Sequence, residues 1–344
     1  MNKLLIAFFL FLLPFGWIKA TASSHPESFP WKAQWINTER CQSATNTWLI
    51  YRKSFGVTDV PDQLIARIAD SKYWLWINDQ LVVFEGGLKR GPSPSGTYYD
   101  PVDIAPYLTK GSNTIAILLW HFGKDGFSHI NSGKAALLFE AIAPGLEIVS
   151  DASWQCALYE AYQNTEAPFP NYRMPESNIR FDARQAITNW NRTSFEGSLP
   201  GAVCVGKAGK APFGDLVERP IPQWKNSGLL SYVSVRESLR GDTLFCRLPY
   251  NAQITPYLKV EAEAGKTIHI RMDNYEGGSE RNVRAEYITR EGEQEYESYG
   301  WMNGHEVYYI IPEGVKVLDV KYRETGYNTD LAGSFHCDDP FYDE

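Results

Sequence analysis

The run Tyr73–Ile77 constrains the fold more than any other stretch, because it is apolar on both faces of the strand that it predicts. Side chains alternate along a β-strand, so a tyrosine, a leucine and an isoleucine point to one side and two tryptophans to the other. A polar Asn-Asp turn separates this run from the apolar residues 81–84, and the pair predicts a hairpin. We expect such a strand to lie inside a sheet that is covered on both sides.

The rest of the chain repeats short strand-like runs. Before residue 336, no stretch keeps a helical spacing of apolar residues for more than a few turns. β-branched and aromatic runs separated by Gly, Pro and Asn clusters are typical of sandwiches and jelly rolls. In the first half these runs lie at residues 31–36, 47–55, 64–69, 114–120 and 135–141. The sequence therefore predicts an all-β protein.

The first 22 residues have the pattern of a secretory signal peptide. Lys3 precedes an unbroken apolar run at residues 4–13, and Ala-Thr-Ala at residues 20–22 supplies small residues for cleavage. Ten apolar residues are too few to span a bilayer, so we expect no membrane anchor here. The pattern predicts cleavage after Ala22 and a secreted or periplasmic mature protein.

Charge and composition limit the partners. The net charge at pH 7 is −8, whereas nucleic acids and anionic membranes are bound by basic surfaces, so neither is expected as a partner. Aromatic residues make up 14% of the chain, with 11 Trp and 20 Tyr. Flat rings stack on sugars, but an aromatic-rich β core explains most of these rings better. Both explanations stay open at this stage.

The cysteine positions do not define a disulfide framework. They are five in number, lie at positions 41, 156, 204, 246 and 337, and contain no C-x-x-C pair. An odd count leaves at least one thiol outside any disulfide, and the pairing cannot be derived from the sequence. We expect buried structural thiols and no zinc site.

Two strings in the first half carry a family resemblance. They are SKYWLWINDQLVVFEGGLKRGP at residues 71–92 and TYYDPVDIAPYLTKGSNTIAILLW at residues 97–120. They resemble the N-terminal β-sandwich of bacterial α-L-rhamnosidase-type glycoside hydrolases of the family 78 kind. Ile-Arg-Phe-Asp-Ala-Arg at residues 179–184 resembles a further strand of that module. The resemblance implies a jelly-roll-like, galactose-binding-type sandwich over residues 24–218.

The second half resembles the next module of the same glycosidases. Glu-Arg-Pro-Ile-Pro at residues 218–222 is similar to the family's proline-containing linker, and proline stiffens such a junction. The strands predicted between residues 255 and 322 are similar to those of the family's second β-sandwich. Residues 219–335 are therefore assigned to a second sandwich, so the fold class is all-β with two consecutive sandwiches after a signal peptide.

The last residues resemble a junction. Gly-Ser-Phe-His-Cys-Asp-Asp-Pro-Phe at residues 333–341 is similar to the family's entry into a catalytic (α/α)6 barrel. The resemblance implies that Asp339 caps, and Pro340 begins, the first barrel helix, which agrees with capping preferences. Residues 336–344 are then a stub of that helix. In the family, the catalytic acid and base come from the barrel, so we expect no catalytic residue here.

Two functions follow. In the first, the chain is the non-catalytic part of an α-L-rhamnosidase-like glycoside hydrolase, inactive alone. It presents rhamnose-containing oligo- or polysaccharides or braces the missing catalytic domain, which is its partner. In the second, it is a complete stand-alone carbohydrate-binding or surface-interaction protein. A stop inside the first turn of a helix favours the first.

The candidate carbohydrate-binding residues are aromatic or planar side chains of the first sandwich: Trp74, Trp76, Arg90, Tyr98, Tyr99 and Trp120. Exposed rings would stack on a sugar, and the guanidinium would donate to hydroxyls. The alternative is that the tryptophans fill the core. His121, Asp125 and His129 match no known ligand spacing, so we expect no metal and no other cofactor.

Overall fold

The computed structural model describes residues 30–41, 45–70, 72–93, 95–125, 130, 133–167, 178–275, 283–329 and 333–343. The predicted signal peptide and His129 lie outside these ranges. Trp31–Glu344 form one compact unit. The all-β class is confirmed, because the described residues are mostly strand, with short 3-10 turns and one helix, α1, at Pro340–Asp343. None of the helices described is long and apolar enough to cross a membrane.

The strands of the described residues, in chain order, are β1 Gln34–Asn37, β2 Thr47–Val57, β3 Ile65–Ala69, β4 Tyr73–Ile77, β5 Gln80–Gly86, β6 Gly96–Asp103, β7 Gly111–His121, β8 Leu138–Ala143, β9 Leu146–Val149, β10 Gln155–Leu158, β11 Tyr162–Asn164, β12 Ile179–Asp182, β13 Val203–Lys207, β14 Asp215–Glu218, β15 Ser234–Glu237, β16 Thr243–Ala262, β17 Thr267–Met272, β18 Ala285–Ile288, β19 Gly292–Glu297, β20 Met302–Ile310 and β21 Val315–Glu324.

Two five-stranded sheets form the first sandwich. The central sheet has the order β10-β2-β7-β4-β5, and the outer sheet has the order β14-β6-β3-β8-β9. Strand β4 therefore lies between β7 and β5, as its two apolar faces predict. Its tyrosine, leucine and isoleucine pack with Ile68 and Phe139 between the two sheets. Trp74 and Trp76 pack into a second apolar cluster on the other face.

A nine-stranded sheet forms the second half. Its path runs β11-β12-β18-β17-β20-β16-β15, and β19 and β21 also pair with β16. The first part of β16 pairs with β15 and β20, and the last part pairs with β19 and β21. A register irregularity between Arg247 and Ala252 lies in the pairing of β16 with β20. One long strand thus contributes to both parts of this sheet.

Strand pairing crosses the predicted domain boundary at residue 218. Strands β11 and β12 belong to the segment 24–218 by sequence, yet β12 pairs in parallel with β18 of the second half. The apolar cluster beneath Trp74 also contains Leu258 and Tyr309 from the second half. These contacts link residues on the two sides of position 218, and pairing between distant strands leaves no local mark in the sequence.

Two local predictions have clear outcomes. The amide of Phe341 donates to Asp339 Oδ1 at 3.1 Å, and α1 begins at Pro340, so the predicted helix start is confirmed. The expectation of buried thiols is confirmed for Cys156 and Cys246 only. Cys204 is exposed on β13. This strand pairs with β1 in a short two-stranded sheet, which leaves the side chain uncovered.

Candidate functional site

A groove of about 520 Å³ opens where the end of β5 meets the linker after β14. Four parts of the chain form it: the open end of the β4–β5 hairpin with the loop that follows, the start of β6, the linker after β14, and the segment after β21. Its lining residues are Lys72, Glu85, Gly86, Gly87, Leu88, Lys89, Arg90, Gly91, Tyr98, Pro220, Ile221, Trp224 and Tyr327. Aromatic rings and charged groups therefore share one concave surface.

A β-bulge positions Glu85. Between two paired positions, β4 advances two residues from Leu75 to Tyr73 while β5 advances three, from Val83 to Gly86. Glu85 has a φ of 57°, in the left-handed region that few residues other than glycine and asparagine adopt. Bulges re-aim side chains and are common beside binding sites. At this bulge the side chain of Glu85 points toward Lys72.

Lys72 and Glu85 form a buried ion pair at the groove. Lys72 Nζ lies 3.1 Å from Glu85 Oε1, and the two side chains are 2% and 3% exposed. Glu85 Oε2 has no hydrogen-bond partner among the residues that the structure describes. Buried carboxylate oxygens normally have such a partner, so this oxygen retains accepting capacity.

The three predicted tryptophans are not exposed, which corrects the prediction that they stack on a ligand. Trp74, Trp76 and Trp120 are 0%, 7% and 2% exposed. Trp74 stacks on Tyr299 of the second half, with ring centroids 4.6 Å apart. The second half covers this face of the central sheet, and burial of large rings is favourable, so the alternative of core packing holds for all three.

Two of these tryptophans nevertheless support the groove from within the core. Lys72 Nζ lies 4.6 Å from the ring centroid of Trp120 and 5.5 Å from that of Trp74. Such cation–π contacts are strongest where water is excluded. The tryptophans therefore hold the ammonium in place without reaching a ligand themselves.

The structure brings Arg90 and Tyr98 together in the groove and places Tyr99 elsewhere. Arg90 is exposed and Tyr98 is half-buried, and both line the groove. Tyr99 instead packs edge-on against Trp31 at 5.4 Å, and its hydroxyl donates to Glu218 at 3.2 Å. Adjacent residues of a strand point to opposite faces, so Tyr98 and Tyr99 do not share one site.

Sequence reasoning missed Trp224 and Tyr327. They pair as an isolated bridge, and their ring centroids lie 5.8 Å apart. Two backbone hydrogen bonds flank them, from Lys225 N to Gly326 O at 2.8 Å and from Asn328 N to Gln223 O at 2.7 Å. A tryptophan just after the proline-rich linker is the one local signal that points to this position.

A second buried pair fixes the groove wall. Asp100 accepts from the hydroxyl of Tyr73 at 2.9 Å and from the amide of Gly87 at 2.7 Å. Arg219 lies 3.4 Å from the same carboxylate and donates to the carbonyls of Gly87, Ile221 and Pro222. Burial, and next the charge of Asp100, raise the pKa of Tyr73 well above its ordinary value, so the phenol stays a donor.

Within the described ranges, no group of three or more His, Cys, Asp and Glu side chains is arranged to hold a metal ion. His121 is buried at the end of β7, and His129 lies outside the described residues.

No family model matches this sequence, and no curated protein matches it. The fold, in contrast, matches solved structures. The GH78 family rhamnosidase of Bacillus sp. GL1 has a TM-score of 0.79 over 92% of this chain at 17% identity. The α-L-rhamnosidases of Dictyoglumus thermophilum and Aspergillus terreus have TM-scores of 0.67 and 0.68 over 91% of this chain, at 20% and 19% identity.

These matches concern a part of each rhamnosidase. This chain spans 57%, 37% and 38% of the three chains, in the same order. The resemblance noted in the sequence is confirmed at the level of the fold: the protein has the fold of one part of GH78 α-L-rhamnosidases.

Proposed function

We propose that this chain is the non-catalytic, glycan-binding β-sandwich portion of an α-L-rhamnosidase-like glycoside hydrolase, and that its groove receives a rhamnose-containing glycan. The fold shared with part of three rhamnosidases supports the class of enzyme and, at a coarse level, the substrate. The observation that carries the binding role is the groove, in which aromatic rings adjoin the buried Lys72–Glu85 pair.

The groove matches the chemistry of a sugar. A pyranose has an apolar C–H face and a rim of hydroxyls, and Trp224 and Tyr327 offer rings for the face. Glu85 Oε2 can accept from a hydroxyl, while Arg90 supplies planar donors. A volume of about 520 Å³ lies in the range that holds small ligands.

The same groove does not offer the two carboxylates of an inverting glycosidase. Such enzymes place an acid and a base about 6.5–9.5 Å apart on opposite sides of the bond. Among the residues described as lining this groove, Glu85 is the one carboxylate, and it is paired with Lys72. We therefore assign hydrolysis to a separate catalytic domain, with this chain as its substrate-presenting or bracing partner. The signal-peptide pattern supports a secreted or periplasmic location.

Calorimetric titration of the purified chain with a rhamnose-containing oligosaccharide tests binding. Trp224→Ala should lower the affinity by up to about tenfold, because it removes a stacking ring. Tyr250→Ala is the matched control, since this exposed tyrosine lies outside the groove, and its affinity should equal that of the wild type.

A hydrolysis assay with an aryl α-L-rhamnoside on the same sample tests the non-catalytic role, and we expect no turnover. Equal affinities of Trp224→Ala and the wild type would contradict the groove as the binding site. Turnover that Glu85→Gln abolishes would contradict the assignment of hydrolysis to another domain.

A further inference from the structure

A second, smaller cavity of about 40 Å³ adjoins the groove. Leu88, Lys89, Gly91 and Tyr98 line both spaces, so the two meet at the loop after β5 and the start of β6. About 10–15 Å³ is needed to hold one water molecule, so this cavity has room for roughly three non-hydrogen atoms. It is therefore too small for a second sugar ring and large enough for a substituent on a sugar in the groove.

The wall of this cavity contains the ring of Trp35 from β1, and its neighbours fix the orientation of that ring. Trp35 is 1% exposed and stacks on Phe213, with ring centroids 3.9 Å apart and an angle of 13° between the planes. Its partner across the β1–β13 pairing is Gly206, where a Cβ would lie 3.3 Å from the Phe213 ring. This close packing leaves the indole little room to turn.

Trp35 Nε1 is a buried donor without a hydrogen-bond partner among the residues that the structure describes. An indole N–H can only donate, and burying it unpaired costs free energy. The indole of Trp154, in contrast, donates to Val149 O at 2.8 Å. Trp74 Nε1 also lacks a partner in the described part of the chain, but Trp74 lines neither space. Trp35 thus combines an unpaired donor with a space into which an acceptor fits.

The cavity wall limits the chemistry of the group that it can hold. The apolar side chains beside Trp35 are Leu88, Ile130, Ala136 and Phe213, and the charged ones are Asp70, Lys89 and Lys134. A neutral group adds no further charge to a wall that already holds both signs. An acetyl group consists of a carbonyl carbon, its oxygen and a methyl carbon, so it matches the space. Its oxygen can accept from the indole, and its methyl group gains from burial against apolar side chains.

We propose that the groove prefers an acetylated glycan, whose acetyl group enters the small cavity and accepts a hydrogen bond from Trp35 Nε1. The shared chemistry is an acetyl carbonyl, carried by an ester of a sugar hydroxyl or by the amide of an acetamido sugar. This preference rests on the proposed function, because it assigns the substrate class of the same groove.

The test compares forms of one rhamnose-containing oligosaccharide. They are the unmodified form, mono-O-acetyl esters at each hydroxyl in turn, and forms in which an acetamido group replaces a hydroxyl. Calorimetric titration of the purified chain should give about tenfold tighter binding for an acetylated form than for the unmodified one, from one hydrogen bond and one buried methyl group. In an N–H correlation spectrum of the isotope-labelled chain, that form should shift the indole resonance of Trp35.

Variants assign the preference to the cavity. Trp35→Phe removes the donor and keeps an aromatic ring against Phe213, so the ratio of acetylated to unmodified affinity should fall about fivefold, the size expected of one hydrogen bond. Ala136→Leu fills the cavity from a position that does not line the groove, so this ratio should approach unity. Trp154→Phe is the matched control, because this buried tryptophan lines neither space, and its ratio should equal that of the wild type.

The outcomes separate the two proposals. Equal affinity of the wild type for the unmodified and all acetylated forms overturns the acetyl preference and leaves glycan binding intact. A ratio that persists unchanged in either cavity variant also overturns it. If a variant does not fold, the wild type decides, because an unshifted Trp35 resonance with an acetylated form bound overturns the preference. Failure of every form to bind overturns the glycan-binding function, and the preference falls with it. Tighter binding of an ester or of an amide form supports the preference and identifies the source of the acetyl group.

Discussion

Two buried ion pairs meet at the end of β5, and they differ in how completely they are satisfied. The Lys72–Glu85 side chains are 2% and 3% exposed, and those of Arg219 and Asp100 are 1% each. Asp100 accepts from Tyr73, Gly87 and Arg219, whereas Glu85 Oε2 has no hydrogen-bond partner among the described residues.

The difference separates a structural role from a functional one. Arg219 donates to three backbone carbonyls of two segments and so ties the linker to the hairpin end. A pair with every group satisfied stabilises one arrangement of the chain. A buried pair with one unused acceptor carries an energetic penalty that a ligand hydroxyl would remove. We therefore expect the Arg219–Asp100 pair to govern stability and the Lys72–Glu85 pair to govern binding.

The largest effect is expected from Asp100→Ala. This change leaves the Arg219 guanidinium buried without its carboxylate and removes the acceptor of Tyr73 and Gly87. The free energy of unfolding should fall by about 3–5 kcal/mol, measured by urea denaturation. A loss below about 1 kcal/mol would show that this pair does not hold the groove wall.

Replacing both members of the Lys72–Glu85 pair should lower glycan affinity while leaving the stability of the fold nearly unchanged. In Lys72→Met with Glu85→Met, two buried charges become apolar groups of similar size, so the free energy of unfolding should stay within about 1 kcal/mol. Met is unbranched like Glu, so it adds no β-branching at the left-handed φ of residue 85. Glycan affinity should fall by about tenfold or more, because the carboxylate proposed to accept from a sugar hydroxyl is lost.

Asp100→Met with Arg219→Met is the control for that double variant. It should remain strongly destabilised, because the carbonyls of Ile221 and Pro222 lose their donor. Equal losses of stability in the two double variants would erase the distinction between the pairs.

Gly86→Ala probes the contact between the hairpin end and Tyr73. A Cβ on Gly86 would lie 2.6 Å from Tyr73 Oη and closer still to its ring. Relief of the clash must move the phenol away from Asp100, and the free energy of unfolding should fall by about 1–3 kcal/mol. Gly56→Ala is the matched control, because a Cβ there meets nothing within 4 Å. Similar losses for both variants would show that crowding at Tyr73 is not the cause.

Tyr73→Phe should have the smallest effect, about 1 kcal/mol at neutral pH, for one buried hydrogen bond. The folded-state pKa of Tyr73 is raised, so its contribution is fully present below the unfolded value near 10 and is lost as pH rises above it. The deficit of the variant in urea denaturation should therefore shrink above about pH 10. A deficit that is constant through that range would contradict a protonated, hydrogen-bonded phenol.

The alternation in Tyr73–Ile77 was enough to predict a strand covered on both sides, and the structure confirms it. The same alternation could not tell what covers the second side. Trp74 and Trp120 were predicted to face a sugar, yet Tyr299 and other residues of the second half cover that face. A strand pattern records that a face is apolar and carries no information about which distant segment reaches it.

Arg90 and Tyr98 were placed at the site because a Gly- and Pro-rich loop after a hairpin is where sandwiches often meet ligands. Glu85 escaped notice because its position depends on a bulge, which adds one residue opposite β4 without a clear mark in the sequence. Trp224 and Tyr327 escaped notice because they become neighbours through a bridge between two remote segments.

The sequence by itself determined the all-β class, the double-faced strand at the centre and the resemblance to rhamnosidase sandwiches, because these depend on local alternation and short motifs. The tertiary structure alone decided which rings are buried, where β11 and β12 pair, and how Lys72, Glu85, Trp224 and Tyr327 come to share one groove. The physical reason is that burial and charge pairing depend on contacts between distant segments, and these form only when the sheets pack.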